Sequence, residues 1–294
     1  MAGISDRPFR RVIRHFSPDA PLVTEMISCH SLVAAHKNCP RNFDRYDDEG
    51  PIGAQIFGAD PALMADAARI LRDAGAGWID INMGCPVPKV ATRANAGAHL
   101  MRDHTAAARI MDAVVRAVDI PVSVKTRLGW DDAHKDWADL VHVAADCGVR
   151  FVTLHARTRA QLYTGTADWP IISDMPIPII ANGDIKTHTD AATAMSRGYA
   201  GVMVGRAMLG RPWILAAIAG AVPDVGNVGD IVLRHLDYAI EYYGARAAVP
   251  MFRKHAAWYS AGLPNSADFR IRVNSTTDAD ALRKIIREFW GCVG

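Results

Sequence analysis

The chain has 294 residues, half of them hydrophobic and 22 % charged, with 23 Gly and 16 Pro. That composition excludes a disordered, collagen-like or coiled-coil protein and allows a large core. The 33 basic and 31 acidic residues give a net charge of +2. This excludes a polybasic protein, but not a basic face offset by an acidic one.

No apolar run approaches the roughly 20 residues that span a bilayer, so no membrane association is expected. The opening text MAGISDRPFRRVIRHF has no apolar signal region. The cysteines are Cys29, Cys39, Cys85, Cys147 and Cys292. Their number is odd and no pair has C-x-x-C spacing. A zinc site or disulfide framework is therefore not expected, and a reducing cytoplasmic setting fits. No H-E-x-x-H, P-loop or serine nucleophile elbow is present, and no metal site is expected.

In chain order, near-continuous apolar runs predict strands over 22–28, 52–57, 78–82, 122–126, 151–155, 177–181 and 201–204. Helical spacing falls between them, over 61–74, 105–118, 133–147 and 187–197. Gly75-Ala76-Gly77, Pro121 and Pro176-Ile177-Pro178 punctuate the change from helix to strand. Alternating units predict a parallel sheet with crossover helices. At this length they predict an α/β (β/α)8 TIM barrel. Seven strands are found, so the first barrel strand is missing or truncated. It is expected before Met1, with the start assigned too late or the barrel imperfectly closed. A doubly wound open sheet is the rival, weakened because no G-x-G-x-x-G follows a first strand. The turn-rich text AVPDVGNVG over 221–229 reads as a linker. Helices are predicted beyond it over 230–243, 250–261 and 278–289. Two domains follow, a barrel over 1–222 and a small all-α domain over 223–294.

Barrel active sites lie at the carboxyl ends of the strands. There, Cys85 follows the run 78–82 between Gly84 and Pro86. It is a candidate nucleophile, acid or base, or a small buried hydrophobe. Lys125 ends the next run and can offset an anionic ring or phosphate, form a Schiff base, or lie solvated. His155 offers a hydrogen bond or proton, or is a satisfied strand-end histidine. Gln55 interrupts its strand, and its amide must be paired by a flat ligand or by a neighbouring strand end. The last two runs end in Asn182-Gly183-Asp184 and Gly205-Arg206. Barrels commonly hold a phosphate there, on glycine-flanked backbone N–H groups and an arginine.

The text MAGISDRPFR, TEMIS, GAQIFG, DINMGCPVPKV, VKTRLGW, LHARTR, IANGDI and GRAMLGRPW resembles the tRNA-dihydrouridine synthases, flavoproteins that reduce uridine in transfer RNA. KHAAWYSAG over 254–262 is similar to the helical domain of the bacterial B-type branch. The resemblance implies an FMN-binding barrel followed by a helical tRNA-binding domain, acting as a monomer. It implies that Cys85 protonates the uracil ring, in the D-loop for the B-type branch. FMN contacts then fall on Met1, Ala2, Gln55, Lys125, His155, Asn182, Gly183, Asp184, Gly205 and Arg206. Asn82 would line the substrate face, and Arg157 and Arg159 would contact RNA or flavin. Electrons would come from NADPH or NADH. Arg253, Lys254, Arg270, Arg272, Arg283 and Arg287 are candidate phosphate contacts or solvated helix faces. The family places an apolar strand and Ala-Pro before its Met-Ala-Gly, which this text lacks. The rivals are an FMN oxidoreductase of free small molecules, a relic RNA-binding barrel, and a flavin-free aldolase-type barrel using Lys125.

Overall fold

The computed structural model describes residues 1–35, 43–46, 49–91 and 94–291. Cys39 and Cys292 lie outside the described residues. The chain divides into two compact units, Met1–Ser5 with Pro21–Gly205, and Asp6–Ala20 with Arg206–Gly294. The helices in chain order are α1 (Arg7–Phe16), α2 (Cys29–Ala34), α3 (Pro61–Asp73), α4 (Pro88–Ala91), α5 (His104–Ala117), α6 (Trp137–Asp146), α7 (His188–Ser196), α8 (Ile214–Ile218), α9 (Val228–Tyr243), α10 (Ala245–Tyr259), α11 (Ser266–Ser275) and α12 (Ala279–Gly291). The strands are β1 (Leu22–Val23), β2 (Ile27–Ser28), β3 (Ile52–Phe57), β4 (Trp78–Asn82), β5 (Val122–Arg127), β6 (Phe151–His155), β7 (Ile179–Asn182) and β8 (Gly201–Met203).

The first unit is an α/β structure built on one parallel sheet. Its ladder runs β1-β3-β4-β5-β6-β7-β8, and β2 also pairs with β3. Among the described residues β8 and β1 are not paired. The crossover helices form where caps and apolar spacing agree. Asp60 accepts from the Leu63 N–H at 3.0 Å and Pro61 opens α3. Met64, Ala67, Ala68 and Leu71 then form its buried face. Asp103 likewise caps α5, which buries Ala107, Ile110, Met111 and Val114. Full burial of a side chain such as Leu71 contributes roughly 1.5–3 kcal/mol.

Two sequence expectations change in this unit. The single strand over 22–28 is split into β1 and β2. Leu22 pairs with Ile52 and Val23 with Gly53, but Ile27 pairs with Ile56. Four chain steps therefore oppose three, which is a bulge. There the Thr24 hydroxyl accepts the Gln55 N–H at 3.0 Å. The helix expected from 133 starts at Trp137. Asp131 folds the preceding text into a turn, accepting from the Ala133 and His134 N–H groups, both at 3.1 Å.

The second unit is helical around its own core. Val12 of α1 joins Val232, Leu236, Phe252, Phe269 and Ile286 from α9 to α12. The opening text, for which no element is predicted, thus carries helix α1. Asp6 caps it through the Phe9 N–H at 3.0 Å. α10 starts at Ala245, so Pro250 lies inside the helix rather than at its start. After Asp6–Ala20 the unit resumes at Arg206, ahead of the turn-rich text. Ile214 and Ile218 are buried, and the Trp213 ring meets Phe16 edge-on at 6.0 Å.

Gly210 fixes a close approach within this unit. Its φ is +72°, and a Cβ there would lie 2.4 Å from the Trp258 carbonyl oxygen. Gly210→Ala should lower stability by about 2 kcal/mol or more, read as a fall in melting temperature.

Candidate active site

Register decides which side chains meet. Gln55 lies beside Asp80, Asp80 beside Ser123, and Asn82 beside Lys125. Arg127 lies beside His155, and His155 beside Asn182. Aligned residues of neighbouring parallel strands point to the same side. These polar residues therefore share one face, while Ile79, Ile81, Val122, Val124, Val152 and Leu154 occupy the other.

On the polar face a hydrogen-bond chain runs across β5, β4 and β3. Ser123 donates to Asp80 Oδ1 and Gln55 Nε2 to Asp80 Oδ2, each at 2.6 Å. Asn82 Nδ2 donates to Gln55 Oε1 at 2.9 Å. Asn82 Oδ1 then accepts from the Gly84 and Cys85 N–H groups at 3.2 and 2.9 Å. Asp80 is 1 % exposed, and burial raises its pKa against the opposing effect of its two donors and Lys125.

The loop after β4 carries Cys85, which is half-buried. Asn82 holds it from one side. Arg127 Nε holds the Gly84 carbonyl at 2.7 Å, and the Ala98 N–H holds the Cys85 carbonyl at 3.1 Å. Arg127 is buried. Its Nη1 also donates to the carbonyls of Thr158 and Leu162 at 3.0 and 2.8 Å. One guanidinium thus ties the cysteine loop to the loop after β6.

Lys125 is partly buried, and its Nζ donates to Asn182 Oδ1 at 2.9 Å. Asn182 is oriented by donating its Nδ2 to the Met203 carbonyl at 2.8 Å. Among the described residues no carboxylate lies within 4 Å of the ammonium. Burial, aided by the Arg127 charge and opposed by Asp80, pushes its pKa down to about 8.

His155 is buried, with Nε2 at 3.4 Å from Arg157 Nη1. Gly183 packs on this ring. Its φ is +104°, and a Cβ would lie 2.7 Å from His155 Cδ2. Arg157 is 1 % exposed and pairs with Asp184 Oδ2 at 2.6 Å. It also donates to the Thr164 and Gly165 carbonyls at 3.0 and 2.6 Å. Arg157 and Asp184 therefore face each other and hold the loop after β6. Arg159 lies outside this group, with its guanidinium 4.5 Å from the Trp130 ring centroid. Met1 is half-buried and its ammonium donates to Ser5 Oγ at 2.6 Å, while Ala2 is exposed. Gly205 ends the first unit with open space where a Cβ would stand. Arg206 opens a 3-10 turn of the second unit.

In the helical unit Arg272 pairs with Glu288, and Arg283 pairs with Asp237 and Asp280. Arg253 donates to the Thr276 carbonyl, Arg270 to the Ser266 carbonyl, and Arg287 is exposed. Sequence reasoning missed Asp80 and Arg127. Their signal is the one that marks Lys125, a charged residue inside apolar strand text.

A parallel sheet that gathers a thiol, an ammonium, an imidazole and paired amides at its carboxyl ends has the layout of an α/β enzyme. The family model described as dihydrouridine synthase (Dus) matches residues 1–289. A probable tRNA-dihydrouridine synthase of Rickettsia typhi is 40 % identical, across 99 % of this chain and 92 % of that protein. The tRNA-dihydrouridine synthase B of Xanthomonas campestris is 41 % identical, across 99 % and 91 %. That of Pseudomonas aeruginosa is 39 % identical, across the same shares. The chain belongs to the dihydrouridine synthase family, on its bacterial B-type branch.

The Lys125 amine loses its proton near pH 8 in the folded protein, against 10.5 as its ordinary value. Between those values the unfolded chain binds the proton and the folded one does not. Stability relative to Lys125→Met should therefore rise from about pH 8 toward 10.5, and be lost as pH falls back to 8. Paired denaturant titrations across that range measure it.

Proposed function

We propose that this chain is an FMN-dependent tRNA-dihydrouridine synthase that reduces the C5–C6 double bond of uridines in the tRNA D-loop. The observation that carries the reading is the Cys85 loop, fixed by Asn82 and Arg127 on the face that carries Lys125. Family membership over nearly the whole chain supports it.

The residues present fit FMN. Lys125 is a partly buried cation with no carboxylate partner among the described residues, and its one hydrogen bond to Asn182 leaves two N–H donors. Such a donor suits the electron-rich edge of an isoalloxazine ring. Gln55 has one further N–H and one further lone pair beyond its bonds to Asp80 and Asn82. The open space at Gly205 admits a phosphate to the backbone. Met1, Ala2, His155, Asn182, Gly183, Asp184 and Arg206 complete the proposed FMN contacts.

Reduced FMN, when bound, supplies the hydride for carbon 6 of uracil. Lys125 then stabilises negative charge beside it. Cys85 holds a proton at Sγ and delivers it to carbon 5, so hydride and proton together saturate the bond. Asn82 positions that thiol through its backbone N–H and borders the substrate. Arg157 and Asp184 act by holding the loop after β6. The uridine must leave its stack to reach the thiol. NADPH or NADH would restore the reduced cofactor.

The finer expectations belong to the same reading. The proposed domains are a TIM barrel over 1–222 that binds FMN and an all-α domain over 223–294 that binds tRNA. The protein works as a monomer in the cytoplasm.

Cys85→Ala should keep its bound flavin and the reduction of that flavin by NADPH. It should lose at least about 10²-fold in turnover on tRNA. Undiminished dihydrouridine formation by this variant removes Cys85 as proton donor, and a colourless wild-type protein removes the flavin reading.

A further inference from the structure

We propose that Arg102 and Arg159, gathered against the Trp130 ring, dock a phosphate of the RNA strand that carries the reacting uridine. This rests on the RNA-modifying reading above and adds a docking point on the catalytic unit.

Three segments converge there. Trp130 follows β5, Arg159 follows β6, and Arg102 ends the 3-10 turn Gly97–Arg102. The Arg159 N–H donates to the Gly129 carbonyl and the Ala160 N–H to the Trp130 carbonyl, each at 2.9 Å. The Arg102 and Arg159 guanidinium carbons lie 4.9 and 4.5 Å from the Trp130 ring centroid. The same 3-10 turn holds the Cys85 carbonyl through the Ala98 N–H. The cluster therefore stands at the sheet end that bears the thiol.

Its charge is uncompensated. Among the described residues neither guanidinium has a carboxylate within 4 Å, and Arg159 Nε is buried without a hydrogen-bond partner. The neighbouring acids are engaged elsewhere. Asp131 pairs with His134 at 2.7 Å, Asp132 with Lys135 at 2.9 Å and Asp136 with His104 at 3.2 Å. Asp103 caps α5. Two guanidiniums held against one ring repel each other, and a bound anion relieves that repulsion. A phosphodiester suits their planar donor forks.

The test is titration of unmodified tRNA against wild type, Arg102→Gln and Arg102→Gln/Arg159→Gln at several salt concentrations. Melting temperature and bound flavin verify each fold, and Arg102→Gln changes only an exposed side chain. The double variant should bind about tenfold more weakly. Its log–log salt slope should be shallower by about 0.7–0.9, because one phosphate is no longer neutralised. Unchanged tRNA affinity and slope in folded Arg102→Gln and double variants overturns the proposal. A raised KM for NADPH with unchanged tRNA affinity also overturns it, assigning the cluster to the reductant's phosphates. A wild type that binds no tRNA overturns the RNA reading and this proposal together.

Discussion

The carboxylate of Asp80 sets the order of the site. It is buried, and a buried carboxyl needs hydrogen-bond partners. Ser123 and the amide nitrogen of Gln55 donate to its two oxygens. The rest follows by elimination. With its nitrogen on Asp80, Gln55 turns its oxygen to Asn82. With its own nitrogen on Gln55, Asn82 turns its oxygen to the N–H groups of Gly84 and Cys85. Both amide orientations are thus fixed from the interior outward, and the last link is the backbone of the thiol residue.

Two buried arginines do the complementary work on the loops. Arg127 and Arg157 direct their N–H forks at main-chain carbonyls as well as side chains. Loops rarely have enough apolar side chains to hold their own shape. Here a guanidinium replaces a small core, and its charge also keeps basic character beside the site. The cost is desolvation, borne where Asp184 faces Arg157.

Much of the fold is legible in the text. The strands 52–57, 78–82 and 151–155 coincide with the observed ones, because parallel strands buried on both sides leave long apolar runs. Cys85, Lys125 and Asn182 are legible for the opposite reason, as polar groups where burial penalises them. α1 escaped because its text opens with arginines, although Asp6, Pro8, Phe9, Val12 and Ile13 carry the cap and spacing of a helix. The division at Arg206 escaped because turn-rich text marks a change of pattern, while compactness depends on distant packing such as Trp213 against Phe16. The pairing of Arg157 with Asp184 escaped because sequence separation hides it.

The bulge between β1 and β2 acts as a parity switch. Leu22 and Ile27 are five residues apart, yet both align with the isoleucine face of β3. In an unbroken strand an odd separation would put them on opposite faces. The bulge absorbs the extra residue, so Ile27 keeps that face and Cys29 reaches Met64, with the two sulfurs 3.0 Å apart. Chain length in this segment therefore matters by oddness or evenness before it matters by amount. Loss of a single residue from 24–26 would make that separation even, so regular pairing would keep Leu22 and Ile27 on one face with no bulge, whereas most single substitutions there leave the parity intact.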